Sequence, residues 1–162
     1  MVDLETVLTY LTLISVPVGI FYYIMTLNNT RKNQQQQLET RQAHLFMTLY
    51  ETARSREFRR QYYALTMQQT WNSYEEYLEK YGPTSNMDVF SDHGALIEYF
   101  DGIGVLLKKD LVDLEMVKEL LFTMIVKTWE KLGPVIIEAR KIDVARSELY
   151  KNFEYLYNEV TK

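Results

Sequence analysis

The sequence predicts an all-α protein: one N-terminal transmembrane helix followed by a small helical bundle of about five or six helices. Three observations point there. No charged residue lies between Glu5 and Arg31. Beyond that stretch apolar residues recur at spacings of three and four, while no segment alternates as a strand does. The 162 residues include only six glycines and three prolines, which suits helices joined by short turns.

From Thr6 to Leu27 there are 22 residues, 15 of them hydrophobic. As a helix they reach roughly 33 Å, against a hydrocarbon core of roughly 30 Å. Eleven are Leu, Ile, Val or Phe. Together these favour insertion by on the order of 5 kcal/mol before Thr, Ser, Gly and Pro subtract their share. Pro17 removes the backbone bond to the Leu13 carbonyl and predicts a bend, with Thr12 and Ser15 near enough to satisfy freed groups. Tyr10 near one end, and Tyr22 and Tyr23 near the other, suit the aromatic belts of a bilayer. A signal peptide wants a basic start and a small-residue cleavage site. Here the start is acidic and Tyr22-Tyr23-Ile24-Met25 is bulky. A surface helix needs a charged face, which this one lacks. Asp3 and Glu5 precede the stretch; Arg31, Lys32 and Arg41 follow it. The positive-inside rule then predicts a single-pass protein of the cell membrane, N-terminus outside and C-terminal domain cytoplasmic.

Three parts are expected: an anchor over 1–30, a polar juxtamembrane helical extension over 31–44 and a cytoplasmic all-helical domain over 45–162. Asn28 to Gln37 is wholly polar, without Gly or Pro, and its run Gln34 to Gln37 is also a candidate for self-association. In the domain, Leu38, Leu45, Leu49 and Ala53 share a face, beside Phe46 and Tyr50. Ser55 can cap a helix bearing Phe58, Tyr62 and Leu65. Ser73 with Glu76 makes a capping-box pattern, and Gly82-Pro83 ends the helix it opens. The clearest stripe is Val89, His93, Leu96, Phe100, Ile103 and Leu107. Asp110 or Asp113 restarts a helix with Leu114, Val117, Leu121, Met124 and Thr128. Gly133-Pro134 is expected to break or kink it. A last face carries Leu149, Phe153, Leu156 and Val160.

Composition excludes several functions. After residue 30 the chain carries 18 basic against 20 acidic side chains. Nucleic-acid binding, which needs a dense basic face, is not expected. Without cysteine there is no disulfide, thiol nucleophile or thiolate metal site. Neither His44 nor His93 has Glu three residues earlier, as a bundle-borne di-iron site requires; the looser set His93, Glu98 and Asp101 is the only metal candidate. No serine elbow exists. Gly102-Ile103-Gly104 lacks the lysine and the preceding strand of a phosphate loop; inside a helix its glycines suit close approach of a neighbour. No cofactor and no enzyme activity are predicted, although Glu98, Asp101 and Glu130 remain unassigned carboxylates.

Asp101 sits beside the apolar stripe, and a buried carboxylate must be paired. It is expected to accept bonds from an Arg or a helix N-terminus, fixing two helices. Trp129 is expected in the core. Phe100, Asp101, Gly102, Gly104, Trp129 and Glu130 form the candidate partner or packing site. Arg54, Arg56, Arg59 and Arg60 cluster; with Arg31 and Lys32 they are candidates for anionic-lipid contact. The plainer alternative for the cluster is ion pairing to Glu51 and Glu57.

The stretch Tyr99 to Leu106, then Val112-Asp113, then Trp129 to Pro134, resembles a prokaryotic family known as domain of unknown function 4760. Ser55-Arg56-Glu57-Phe58, Lys80-Tyr81-Gly82 and Phe153-Glu154-Tyr155-Leu156 extend the resemblance over most of the chain after residue 45. The chain departs from the family pattern at Asp101, in place of Glu, and at Asp110, in place of Gly. The resemblance implies one N-terminal span with a small cytoplasmic helical domain, and no reaction. The function expected is a membrane-tethered protein-interaction or scaffold module, with the bilayer and a protein as partners. Two alternatives stay open: a ligand-binding or enzymatic site near Phe100–Gly104 and Trp129, and a structural homo-oligomer.

Overall fold

The computed structural model describes the backbone of residues 3–162, and the side chains of all of these but residues 6, 7, 9–12 and 14. The fold is all-α, with six α-helices among the described residues: α1 (Leu4–Arg54), α2 (Arg56–Tyr63), α3 (Tyr74–Tyr81), α4 (Met87–Lys108), α5 (Leu114–Ile142) and α6 (Lys151–Thr161). A π-helical turn, Ala64–Gln68, follows α2, and a 3-10 turn, Val144–Arg146, follows α5. Contacts divide the chain into two units, Met1–Arg41 and Gln42–Lys162, with α1 contributing to both.

In the first unit every described side chain is exposed. Helix α1 carries Pro17 in its interior and continues without a break. The transmembrane helix expected over Thr6–Leu27 finds no support here. Among the described residues no helix is long and apolar enough to cross a membrane. Seven side chains of that stretch, including Tyr10 and Thr12, lie outside the described residues. The polar residues 28–41 are helical, with Thr40 Oγ1 donating to the Gln36 carbonyl.

The second unit has one core. From α1 it takes Phe46 and Ala53, with Leu45, Leu49 and Tyr50 half-buried beside them. Ser55 interrupts the helix because its hydroxyl accepts from Phe58 N at 3.1 Å and starts α2, whose Phe58 and Tyr62 face inward. Ser73 likewise caps α3 through Glu76 N. The expected capping box differs in its second half. Glu76 Oε2 accepts from Asn72 N at 2.8 Å, and Oε1 from Lys80. Helix α3 ends at Gly82, where a Cβ would fall on the Leu78 carbonyl.

Helix α4 begins at Asn86, whose side chain accepts from Val89 N. It buries His93, Leu96, Ile97, Phe100, Ile103, Gly104 and Leu107. Its end is a Schellman motif: Leu111 N donates to the Leu106 carbonyl and Asp110 N to the Leu107 carbonyl. That motif needs a left-handed residue, and Asp110 supplies it at φ 53°. Asp113 then caps α5 through Met116 N.

Of the break or kink expected at Gly133-Pro134, the break does not occur: α5 runs through to Ile142. The proline lies on the exposed side. Gly133 faces inward, where a Cβ would come 2.8 Å from the Trp129 ring, so this glycine makes room for a side chain and does not mark a turn. Helix α6 packs on α4 and α5 with Phe153, Leu156 and Val160 buried.

Candidate functional site

The six residues singled out around Phe100 and Trp129 divide cleanly. Phe100 and Trp129 are buried core residues meeting on Phe153, Phe100 stacked at 5.3 Å and Trp129 edge-on at 5.0 Å. Trp129 also stacks on Tyr157 at 5.7 Å. Asp101 Oδ1 accepts from the backbone N–H of Asn152 at 3.0 Å and of Phe153 at 2.9 Å, and Oδ2 from Asn152 Nδ2 at 3.1 Å. The helix-N-terminus alternative for Asp101 is thus the one realised, and no arginine takes part. Gly104 lets the Asn152 carbonyl close in; a Cβ there would overlap it. Gly102 has open space around it and is exposed, so the close approach expected of both glycines belongs to Gly104 alone. Glu130 is exposed and lines two shallow surface clefts with Lys131. Four of the six therefore build the dock for α6.

That dock has a second clamp. Arg140 Nε donates to the Leu149 carbonyl at 2.7 Å, and its guanidinium pairs with Glu154. Lys108 Nζ donates to Asn152 Oδ1 at 2.8 Å. Between the clamps Tyr150 is held at φ 52°, ψ 34°. A left-handed conformation costs a large side chain roughly 1–2 kcal/mol. Tyr150 caps nothing with its own side chain; Asp101 does so from α4.

His93 sits among Trp71, Tyr77 and Tyr81 with ring centroids 5.7–6.1 Å away. Both ring nitrogens are used. Nε2 pairs with Gln69 Oε1, which places the proton on Nε2, and Tyr77 Oη donates to Nδ1 at 3.1 Å. Burial pushes His93 down to about 4, against the opposing effect of Asp92, and pushes Tyr77 up to about 12. The ring is neutral at pH 7 and structural. Among the described residues no three His, Asp or Glu side chains converge as metal ligands would, so His93, Glu98 and Asp101 are not a metal set.

The arginines are largely spoken for. Arg60 bridges Glu57 on its own helix and Asp92 on α4, at 2.7 and 3.0 Å. Its bond to Glu57, before that to Asp92, raises its pKa further. Arg59 donates to Tyr63 Oη at 2.9 Å, and Arg54 lies over the Tyr50 ring. Of the expected carboxylate partners Glu57 is used, while Glu51 pairs with none of these arginines. Arg56, like Arg31 and Lys32, is exposed.

Sequence reasoning missed one feature. A cleft of about 660 Å³ opens between α3, α4, α5 and the segment leading into α6. Leu78, Ile97, Val135 and Ile136 give it apolar walls, and Gly94 and Ala139 leave it open. Tyr74, Tyr150, Glu98 and Arg146 supply its polar groups. Gly94 is the signal that marked it. A glycine inside a helix costs about 1 kcal/mol relative to alanine. A Cβ at this one meets nothing within 4 Å, so no neighbour requires it. Tyr150 is raised by burial first, then by Glu98 and Asp101, which keeps its phenol a donor.

No curated protein and no solved structure matches this chain. One family model does, over residues 13–160, which takes in the second unit up to Val160 and most of α1. On that match the chain belongs to the family described as domain of unknown function (DUF4760).

Proposed function

We propose that this protein is a membrane-tethered protein-interaction module, its helical domain held at the cytoplasmic face by the uncharged part of α1. The observation that carries this reading is the uncovered apolar surface of that helix. Leu13, Val16, Val18, Ile20, Phe21 and Ile24 are each at least 50% exposed. With Tyr22 and Tyr23 they cover most of the helix circumference, the strip of Ser15, Gly19 and Thr26 apart. A helix so largely apolar is stable only inside a large core or in lipid, and the core of the second unit is already filled by other residues. Arg31 and Lys32, the first cations after the stretch, stand where anionic headgroups would meet them. For a protein partner the domain offers Tyr63, Met67, Leu120 and Phe122, exposed apolar residues along one cleft beside the π-helical turn. Such turns recur at functional sites.

The absence of native cysteine makes the test direct. Single cysteines replacing Asp3 and Lys162 are probed in intact cells with an impermeant maleimide, and membranes are washed with alkaline carbonate. The reading expects the protein to stay in the washed membrane and only the Asp3 position to be labelled. Release by carbonate overturns the tether. For the interaction part, a photo-crosslinking residue at Met67 is expected to capture a specific protein in membranes; capture equal to that from an exposed control position, Lys109, counts against it.

A further inference from the structure

We propose that the cleft between α3, α4 and α5 binds a small amphiphile with an apolar body and one acidic head, a carboxylate or phosphate. The body lies against Ile97, Val135 and Ile136, and the head faces Tyr150 and Arg146. This inference does not depend on the tether. Two departures from local stability rules meet at this one place. Gly94 sits inside α4 with no neighbour that needs the space, and it lines the cleft. Tyr150 is held in a left-handed conformation that its side chain disfavours, by Asp101 on one side and Arg140 on the other, and it lines the same cleft. Departures of this kind gather where function outweighs stability.

The size and lining fit a small ligand: a mostly apolar cavity of some hundreds of cubic ångströms with a few polar groups. The polar groups select its chemistry. The phenols of Tyr74 and Tyr150 and the guanidinium of Arg146 donate to no acceptor among the described residues, so the cleft is rich in unused donors. A ligand head that only accepts, and carries negative charge, satisfies them. Glu98 is the one carboxylate among the lining residues that opposes it; Asp101, already bonded to the start of α6, adds to that opposition at Tyr150, so removing the Glu98 charge should strengthen binding.

The test is isothermal titration of the purified full chain, with the same injections into the matching protein-free medium subtracted, using octanoate, octanol and octylammonium as probes. Octanoate is expected to bind saturably and more tightly than octanol, and octylammonium more weakly than both. Arg146→Glu should weaken octanoate roughly fivefold, and Glu98→Gln should tighten it by up to about the same factor, the worth of one partly solvated charge pair. Gly94→Leu should fill the cleft and abolish binding while the thermal midpoint stays at or above that of the wild type. Equal binding of the three probes, no saturable binding of octanoate, or unchanged binding in Gly94→Leu overturns the proposal.

Discussion

Asp101 offers the sharpest test of how this domain is held together. It starts a helix that it does not belong to. Replacing it with alanine removes the acceptor for two backbone N–H groups and one side-chain N–H at the start of α6. Loss of a capping side chain costs about 1 kcal/mol. Loss of its charge at a helix N-terminus costs roughly 0.3–1 kcal/mol more. The half-buried Asn152 amide left without its acceptor brings the sum to about 2 kcal/mol. For a domain of this size that lowers the thermal midpoint by roughly 4–8 °C. Circular dichroism melts of the full chain measure the shift, and amide hydrogen exchange locates it: Asn152 and Phe153 should lose protection before the interior of α5 does. Asp101→Asn should fall between wild type and alanine, because it keeps one acceptor but turns an amide donor toward the Asn152 amide. If Asp101→Ala melts within a degree of wild type with both amides still protected, the carboxylate is not the cap and the reasoning fails.

Three further outcomes follow from single positions. Gly104→Ala drives a methyl group into the Asn152 carbonyl and should destabilise by roughly 1–3 kcal/mol, while Gly102→Ala, whose methyl group would meet nothing within 4 Å, should stabilise by up to about 1 kcal/mol; chemical denaturation separates the two signs. Asp110→Gly should raise stability by about 0.5–1 kcal/mol, since φ 53° is left-handed and the helix end needs only the backbone. His93 gives a pH signature. Its folded pKa near 4 lies below the ordinary value of 6.5, so the unfolded chain takes up the proton first. Its contribution is therefore complete above pH 6.5 and lost as the pH falls to 4, by at most about 3 kcal/mol. Denaturation of wild type and His93→Gln at pH 7, 5.5 and 4 should show the gap between them shrinking with acid; a constant gap would contradict the burial of a neutral ring.

Much of the architecture is local and therefore readable from sequence. Ser55 and Ser73 announce their helices because capping is decided within four residues, and the start of α5 is narrowed to Asp110 or Asp113, of which Asp113 is the cap. The stripe from His93 to Leu107 announces its buried face because helical period is a property of one segment. The Schellman turn at Asp110 is foreshadowed by the glycine that the family pattern carries there. Reading fails where the cause is distant. Gly133-Pro134 has the composition of a helix stop, yet Gly133 answers to the Trp129 ring and the helix passes through. Gly102 and Gly104 look alike in sequence, and only the placement of Asn152, nearly fifty residues on, tells them apart. The same holds for the cleft: its walls come from three helices, and its sole local trace was a glycine inside an apolar stripe.

The carboxylate that opens α6 lies fifty residues upstream of its first residue. An eleven-residue helix of this kind is marginal in isolation, since nucleation is costly and its own first position carries no cap. Helix α6 therefore depends on α4 already being in place to supply its cap. A ribosome delivers the parts in that order. Any variant that delays α4 will leave Phe153 and Leu156 without a seat and present them to chaperones and proteases, so damage in the middle of the chain should be felt first at its far end.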